Sequence, residues 1–159
     1  MTEQFSDADR IATLAIDHGG YAAPTQKLEQ DRRVAEFELL EENCFKVANL
    51  NGPYDVVIDA SADKILLSIK SQSNESRVDL CTPCVRAMVA DYLAVCESYE
   101  QAVPRLSPGQ IAVVDQQRRE AHNEGADALS AAMSDVAFAD NRTAKQLFSL
   151  VVVLVQSQA

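Results

Sequence analysis

Six polar side chains crowd one short stretch of the chain: Asp115, Arg118, Arg119, His122, Asn123 and Glu124. Asp115, Arg118 and His122 stand at i, i+3 and i+7, so on a helix they project from one side. An arginine holds carboxylate or phosphate oxygens through its planar fork. A histidine is the one group in the stretch that changes charge near neutral pH. Glu124 could orient the imidazole or act as a base. These residue types suit the capture of a small anion or of an acidic partner segment. They also suit acid–base work by His122 on an anionic small-molecule substrate.

The element that must position them is a helix from Ser107 to Met133. Ser107 can cap its first free amides, and Pro108 fits the first helical position, where its missing N–H costs nothing. A 3.6-residue period then carries an inward stripe through Ile111, Val114, Arg118, His122, Gly125 and Leu129. Between Val114 and Ala121 the residues are all polar, where packing calls for apolar ones. A charge facing the core costs several kcal/mol unless it is paired and hydrogen-bonded. Either Asp115, Glu124 or Asp91 satisfies Arg118, making an ordinary buried cluster that joins helices, or a cleft opens there. Gly125 either lets another part of the chain approach closely or breaks the helix.

The remaining elements follow in order. Arg10 to Asp17 alternates, with Ala12, Leu14 and Ile16 on one face, and reads as a strand after a frayed stretch over residues 1–9. Gln26 to Cys44 reads as a helix whose inward stripe is Val34, Phe37, Leu40 and Cys44, with Ala35 and Leu39 as shoulders. Its charged residues, among them Glu29, Arg32, Arg33 and Glu36, are expected to face water. After a turn at Asn49–Pro53 come three alternating strands, marked by Tyr54, Val56, Ile58 and Ala60, by Ile65, Leu67 and Ile69, and by Val78 and Leu80. The polar run SQSNES reads as the loop before the third. Pro83 opens a helix with Val85, Met88, Val89, Tyr92, Cys96, Tyr99 and Val103 on one stripe, ended by Pro104. Val136 to Ala139 is a candidate edge strand, and Asp140 or Asn141 caps a last helix that is apolar all round at its end. The expected fold is a single α+β domain over residues 10–156: a small, mainly antiparallel sheet, a three-stranded meander plus the N-terminal strand, packed against about four helices.

Two other motifs carry less. Cys81-Thr-Pro-Cys84 places a thiol at a helix start, where a thiolate gains from the helix dipole. A redox motif of that kind belongs after the first strand of a βαβ unit, whereas this one ends a meander. Zinc would need two further ligands from His18, His122, Cys44 and Cys96. His18-Gly19-Gly20-Tyr21 lacks the spacing of a phosphate-binding loop and reads as a simple loop. No cofactor and no metal is expected.

Composition narrows the class. Of 159 residues, 14 are Lys or Arg and 24 are Asp or Glu, a net charge of -10 that opposes binding to a phosphate backbone. The apolar run Phe148–Val155 is too short for a membrane span of about 20 residues. With no signal-peptide pattern at its start, the chain is expected to be cytoplasmic, with Cys44, Cys81, Cys84 and Cys96 as reduced thiols.

In order along the chain, DRRVAEFELLEEN, NGPYDVVID, DYLAVCESYEQAV, VDQQRREAHNEG and AKQLFSLVVVLV resemble a family of small bacterial proteins. The family is catalogued among proteobacteria as an uncharacterised protein family. The likeness runs roughly over residues 28–155, and its most specific block is Arg118-Arg119-x-x-His122-Asn123-Glu124-Gly125. The resemblance implies one complete domain and no particular activity. The family lacks a Cys-x-x-Cys at this place, which implies no shared role for Cys81 and Cys84. The favoured expectation is a binding or regulatory module that holds an anionic ligand or an acidic segment. An enzyme using His122, and an interaction protein whose helices form a homodimer surface, are the alternatives.

Overall fold

Alternation of apolar residues accounts for most of the sheet seen in a computed structural model, which describes residues 5–17, 25–61 and 64–158. Strand β3 (Tyr54–Asp59) buries Tyr54, Val56 and Ile58, and β4 (Leu66–Ser71) buries Leu67 and Ile69. β4 turns directly into β5 (Asn74–Asp79), with Gln72 at φ 56°. The loop expected over SQSNES therefore shrinks to two residues, and Asn74, Glu75 and Ser76 pair with β4. β3, β4 and β5 form the antiparallel meander, and Ile65 and Leu80 close the core beside it.

Strand β1 (Ile11–Asp17) lies beside β3 in parallel, giving the order β1-β3-β4-β5. Parallel pairing needs a crossover, and helix α1 (Gln26–Glu41) supplies it. Within β1, Ile11 is fully buried, Leu14 and Ile16 are half-buried, and Ala12 is exposed instead of facing in. A strand that the alternation does not reveal, β2 (Phe45–Val47), pairs antiparallel with β6 (Ala137–Ala139). At three residues each, the two are too short for a periodic signal. The end of β2 is tied to the turn after it, where the Tyr54 hydroxyl accepts from Val47 N–H (3.1 Å) and donates to the Leu50 carbonyl (2.8 Å).

Helix α1 corrects the expected inward stripe. Ala35 and Leu39, read as shoulders, face the core, while Val34, Phe37 and Leu40 are 48%, 67% and 38% exposed. The charges decide this. Arg32 pairs with Glu29 (2.6 Å) and Glu36 (3.0 Å), and these three groups, taken as solvated, lie half-buried on the inner flank. The helix also stops before Cys44. The Asn43 side-chain amide donates to the Leu39 carbonyl (2.8 Å), taking the acceptor that a further helical N–H would use. The same side chain clasps Ile11 of β1 through both its amide oxygen and its nitrogen.

Helices α2 (Pro83–Ala102), α3 (Pro108–Met133) and α4 (Asn141–Gln158) stand where the sequence puts them. Asp140 caps α4, accepting from Thr143 N–H at 2.9 Å. The run Val151–Val153 is helical although its residue types also suit a strand. It is buried, and the gain from burial exceeds a propensity difference of well under ~1 kcal/mol per residue. α4 packs between α1 and α3, and α2 packs on α3. His18-Gly19-Gly20-Tyr21 lies outside the described residues.

Candidate functional site

The α3 stripe falls as its period requires. Ser107 and Gln110 cap each other at its start: the Ser107 hydroxyl accepts from Gln110 N–H (3.3 Å) and Gln110 Oε1 accepts from Ser107 N–H (3.0 Å). Ile111, Val114, Arg118 and His122 are half-buried, and Gly125 and Leu129 are buried. Gly125 does not break the helix. The Phe148 ring of α4 occupies the place where a Cβ would go, so no larger residue fits without displacing that ring.

That close approach brings α4 against His122. Its Nε2 lies 2.8 Å from the Ser149 hydroxyl, and its ring meets Tyr92 and Phe148 edge-on, with centroids 5.2 and 5.3 Å away. Burial holds the imidazole below its usual pKa of 6.5, and the charges of Lys145 and Arg118 add to the effect. The ring is neutral at pH 7. Burial likewise pushes the Tyr92 phenol up to about 12, with the Cys96 thiol beside it.

Arg118 is neutralised within its own helix. Its Nη2 lies 2.6 Å from Asp115 Oδ1, while Arg119 Nη2 lies 2.7 Å from the other oxygen of the same carboxylate. The hydrogen bond to Arg118 holds Asp115 below the usual carboxylate range. Arg118 also sits over the Tyr99 ring, 5.0 Å from its centre. Its Nε, however, is buried with no partner. Of the six residues singled out, Asp115, Arg118 and Arg119 thus form one ion-paired group, and Arg118 and His122 face a cavity. Asn123 and Glu124 are exposed and do not line it, so neither is in place to orient His122 or satisfy Arg118.

The cavity is a cleft of about 820 Å³ above α4. Lys145, Gln146, Ser149, Val152, Val153 and Gln156 of α4 form its floor. One wall is α1, with Lys27, Leu28, Asp31, Val34, Ala35 and Glu38, joined by Thr25 just ahead of the helix. The other is Tyr92, Leu93, Cys96 and Glu100 of α2 with Arg118 and His122 of α3. Gln146 donates to the Glu38 carbonyl (3.2 Å), but its Oε1 is buried and unpartnered. The cleft therefore offers the His122–Ser149 pair and an apolar strip, while Arg118 Nε and Gln146 Oε1 are buried behind its lining. Lys145 adds a cation that makes no ion pair among the described residues. Sequence reasoning reached Arg118 and His122 but missed Lys145, Gln146 and Ser149. Lys145 and Ser149 stand at i, i+4 on α4 with Gln146 beside them, a signal hidden by the apolar run around it.

The cysteines carry no such site. Cys81 is buried and burial pushes its thiol up, the opposite of what a thiolate nucleophile needs, while Cys84 is exposed; all four are free thiols. Among the described residues no three His, Cys, Asp or Glu are placed to hold a metal ion, and no helix is long and apolar enough to cross a membrane.

The sequence pattern of an uncharacterised protein family, UPF0262, matches residues 8–157. A UPF0262 protein of Cereibacter sphaeroides is 38% identical over 154 residues, covering 92% of this chain and 98% of the relative. One from Paracoccus denitrificans is 36% identical over 156 residues, 93% and 96% of the two chains. Another, from Rhodospirillum rubrum, is 31% identical over 153 residues, 95% of each. No solved structure matches the chain.

Proposed function

Since the chain belongs to UPF0262, a family with no assigned activity, we propose from the cleft alone that it is a small-molecule binding module. The ligand is a compound with an anionic group and a partly apolar body, seated over α4. One observation carries the reading: a cleft of about 820 Å³ brings Lys145, which makes no ion pair among the described residues, and the half-buried His122 beside an apolar strip. A concave site with a few convergent polar groups on a largely apolar lining is the usual form of a small-molecule site. Lys145 favours an anion on the His122 side of the cleft, Arg118 being already paired with Asp115. Leu28, Val34, Leu93 and Val152 suit a carbon skeleton beside it.

Melting temperature followed with phosphate, nucleotides, dicarboxylates and chain-bearing monocarboxylates tests this. A ligand at a hundredfold excess over its Kd stabilises by about 2.7 kcal/mol. In a chain of this size that is a rise of roughly 5–10 °C. His122→Gln and Arg118→Met should lose the rise; no rise with any compound would sink the proposal.

A second reading, catalysis, has its own support in a neutral imidazole 2.8 Å from the Ser149 hydroxyl. Against it, His122 Nδ1 has no orienting partner among the described residues, and Ser149 sits inside a helix whose amides are already bonded. Labelling of Ser149 by a fluorophosphonate, lost in His122→Gln, would favour the enzyme over the binder.

A further inference from the structure

On its outer side α1 carries an apolar stripe that nothing among the described residues covers: Val34 is 48%, Phe37 67% and Leu40 38% exposed. Three apolar side chains side by side on one helix face, centred on an open phenylalanine, are a candidate contact surface. The sequence around it says for which partner. Phe37 is the centre of the i±4 row Arg33-Phe37-Glu41, and the two flanking apolar residues, Val34 and Leu40, lie three residues to either side.

We infer that this face binds a second copy of the same chain. Crossing two α1 helices antiparallel on a two-fold axis at Phe37 brings the row opposite itself in reverse. Phe37 then meets the partner's Phe37, Val34 meets the partner's Leu40, and Arg33 meets the partner's Glu41. Every apolar residue faces an apolar one and each terminal charge faces its opposite, twice over. Such self-complementarity about one residue is what a two-fold, isologous contact requires. A different protein docking here would need no such symmetry in the row. Arg33, 74% exposed and held to Glu29 only at 3.3 Å, is free to turn outward.

A single helix pair buries less than the ~800 Å² per partner of a standard interface, so the dimer is weak and concentration-dependent. The proposal stands apart from the cleft, although Val34 borders both.

Sedimentation velocity on the whole chain, over roughly two decades of concentration, tests it. The native chain should shift from monomer to dimer. Phe37→Asp should stay monomeric with an unchanged circular dichroism spectrum. Arg33→Glu and Glu41→Arg should each weaken association by about threefold to tenfold, and the double variant R33E/E41R should recover it. A chain that stays monomeric throughout, a dimer indifferent to Phe37→Asp, or a double reversal that restores nothing would overturn the inference. The first outcome is also what a surface reserved for a different protein would give.

Discussion

His122 is gripped by groups that suit only its neutral form. Two aromatic edges and a hydroxyl surround it, and the nearest charges, on Lys145 and Arg118, share the sign that protonation would add. The folded pKa is therefore lower than the ordinary 6.5, and the unfolded chain takes up the proton more readily. The contribution to stability is fully present above about pH 6.5 and is lost as pH falls through the depressed folded value. Between pH 8 and pH 5 the melting temperature of the native chain should fall more than that of His122→Gln. Parallel curves for the two would show that the imbalance is not felt. An anion seated on the His122 side would favour the protonated ring, so its binding should tighten over the same acid range.

At the level of elements, α1 separates what a hydrophobic pattern can and cannot specify. Both of its candidate stripes are real rows of apolar residues, and periodicity alone favours the longer one. The structure chooses Ala35 and Leu39 because Arg32, Glu29 and Glu36 cancel one another and can lie beside the core, a pairing that a polarity pattern scores as solvated. Denaturant unfolding checks the orientation directly. Leu39→Ala should cost about 2–5 kcal/mol, whereas Phe37→Ala, measured on dilute monomer, should lie within ~0.5 kcal/mol of the native chain. The reverse order would restore the sequence-based stripe. Elsewhere legibility follows length. The meander and the three long C-terminal helices each offer several periods, and all were readable. β2 and β6 offer three residues each; β2 went unread, and β6 was marked by composition rather than by period. For the site, charge interrupting an apolar stripe on α3 marks Arg118 and His122, and both side chains line the cleft. Asn123 and Glu124 follow His122 in sequence but lie off the cleft, since neighbours on a helix point some 100° apart. Ser149 and Gln146 stayed hidden because a cleft is a property of four helices together.

On the scale of the whole molecule, net charge sets a test that distinguishes an apolar dimer contact from an ionic one. Each copy carries -10. Treated as spheres ~35 Å apart, a separation suited to this chain length, two such charges repel by roughly 12 kcal/mol in salt-free water. Screening lengths of ~30 Å at 0.01 M and ~8 Å at 0.15 M reduce that to a few kcal/mol and to a few tenths, respectively. The two Arg33–Glu41 contacts work in the opposite direction, but they are exposed and weak, and salt removes less from them than it relieves in repulsion. The α1 dimer should therefore tighten as salt rises from about 0.01 to 0.15 M, by roughly tenfold or more in Kd. Association that weakens over that range would mean the ion pairs, and not Phe37 with its apolar flanks, hold the copies together.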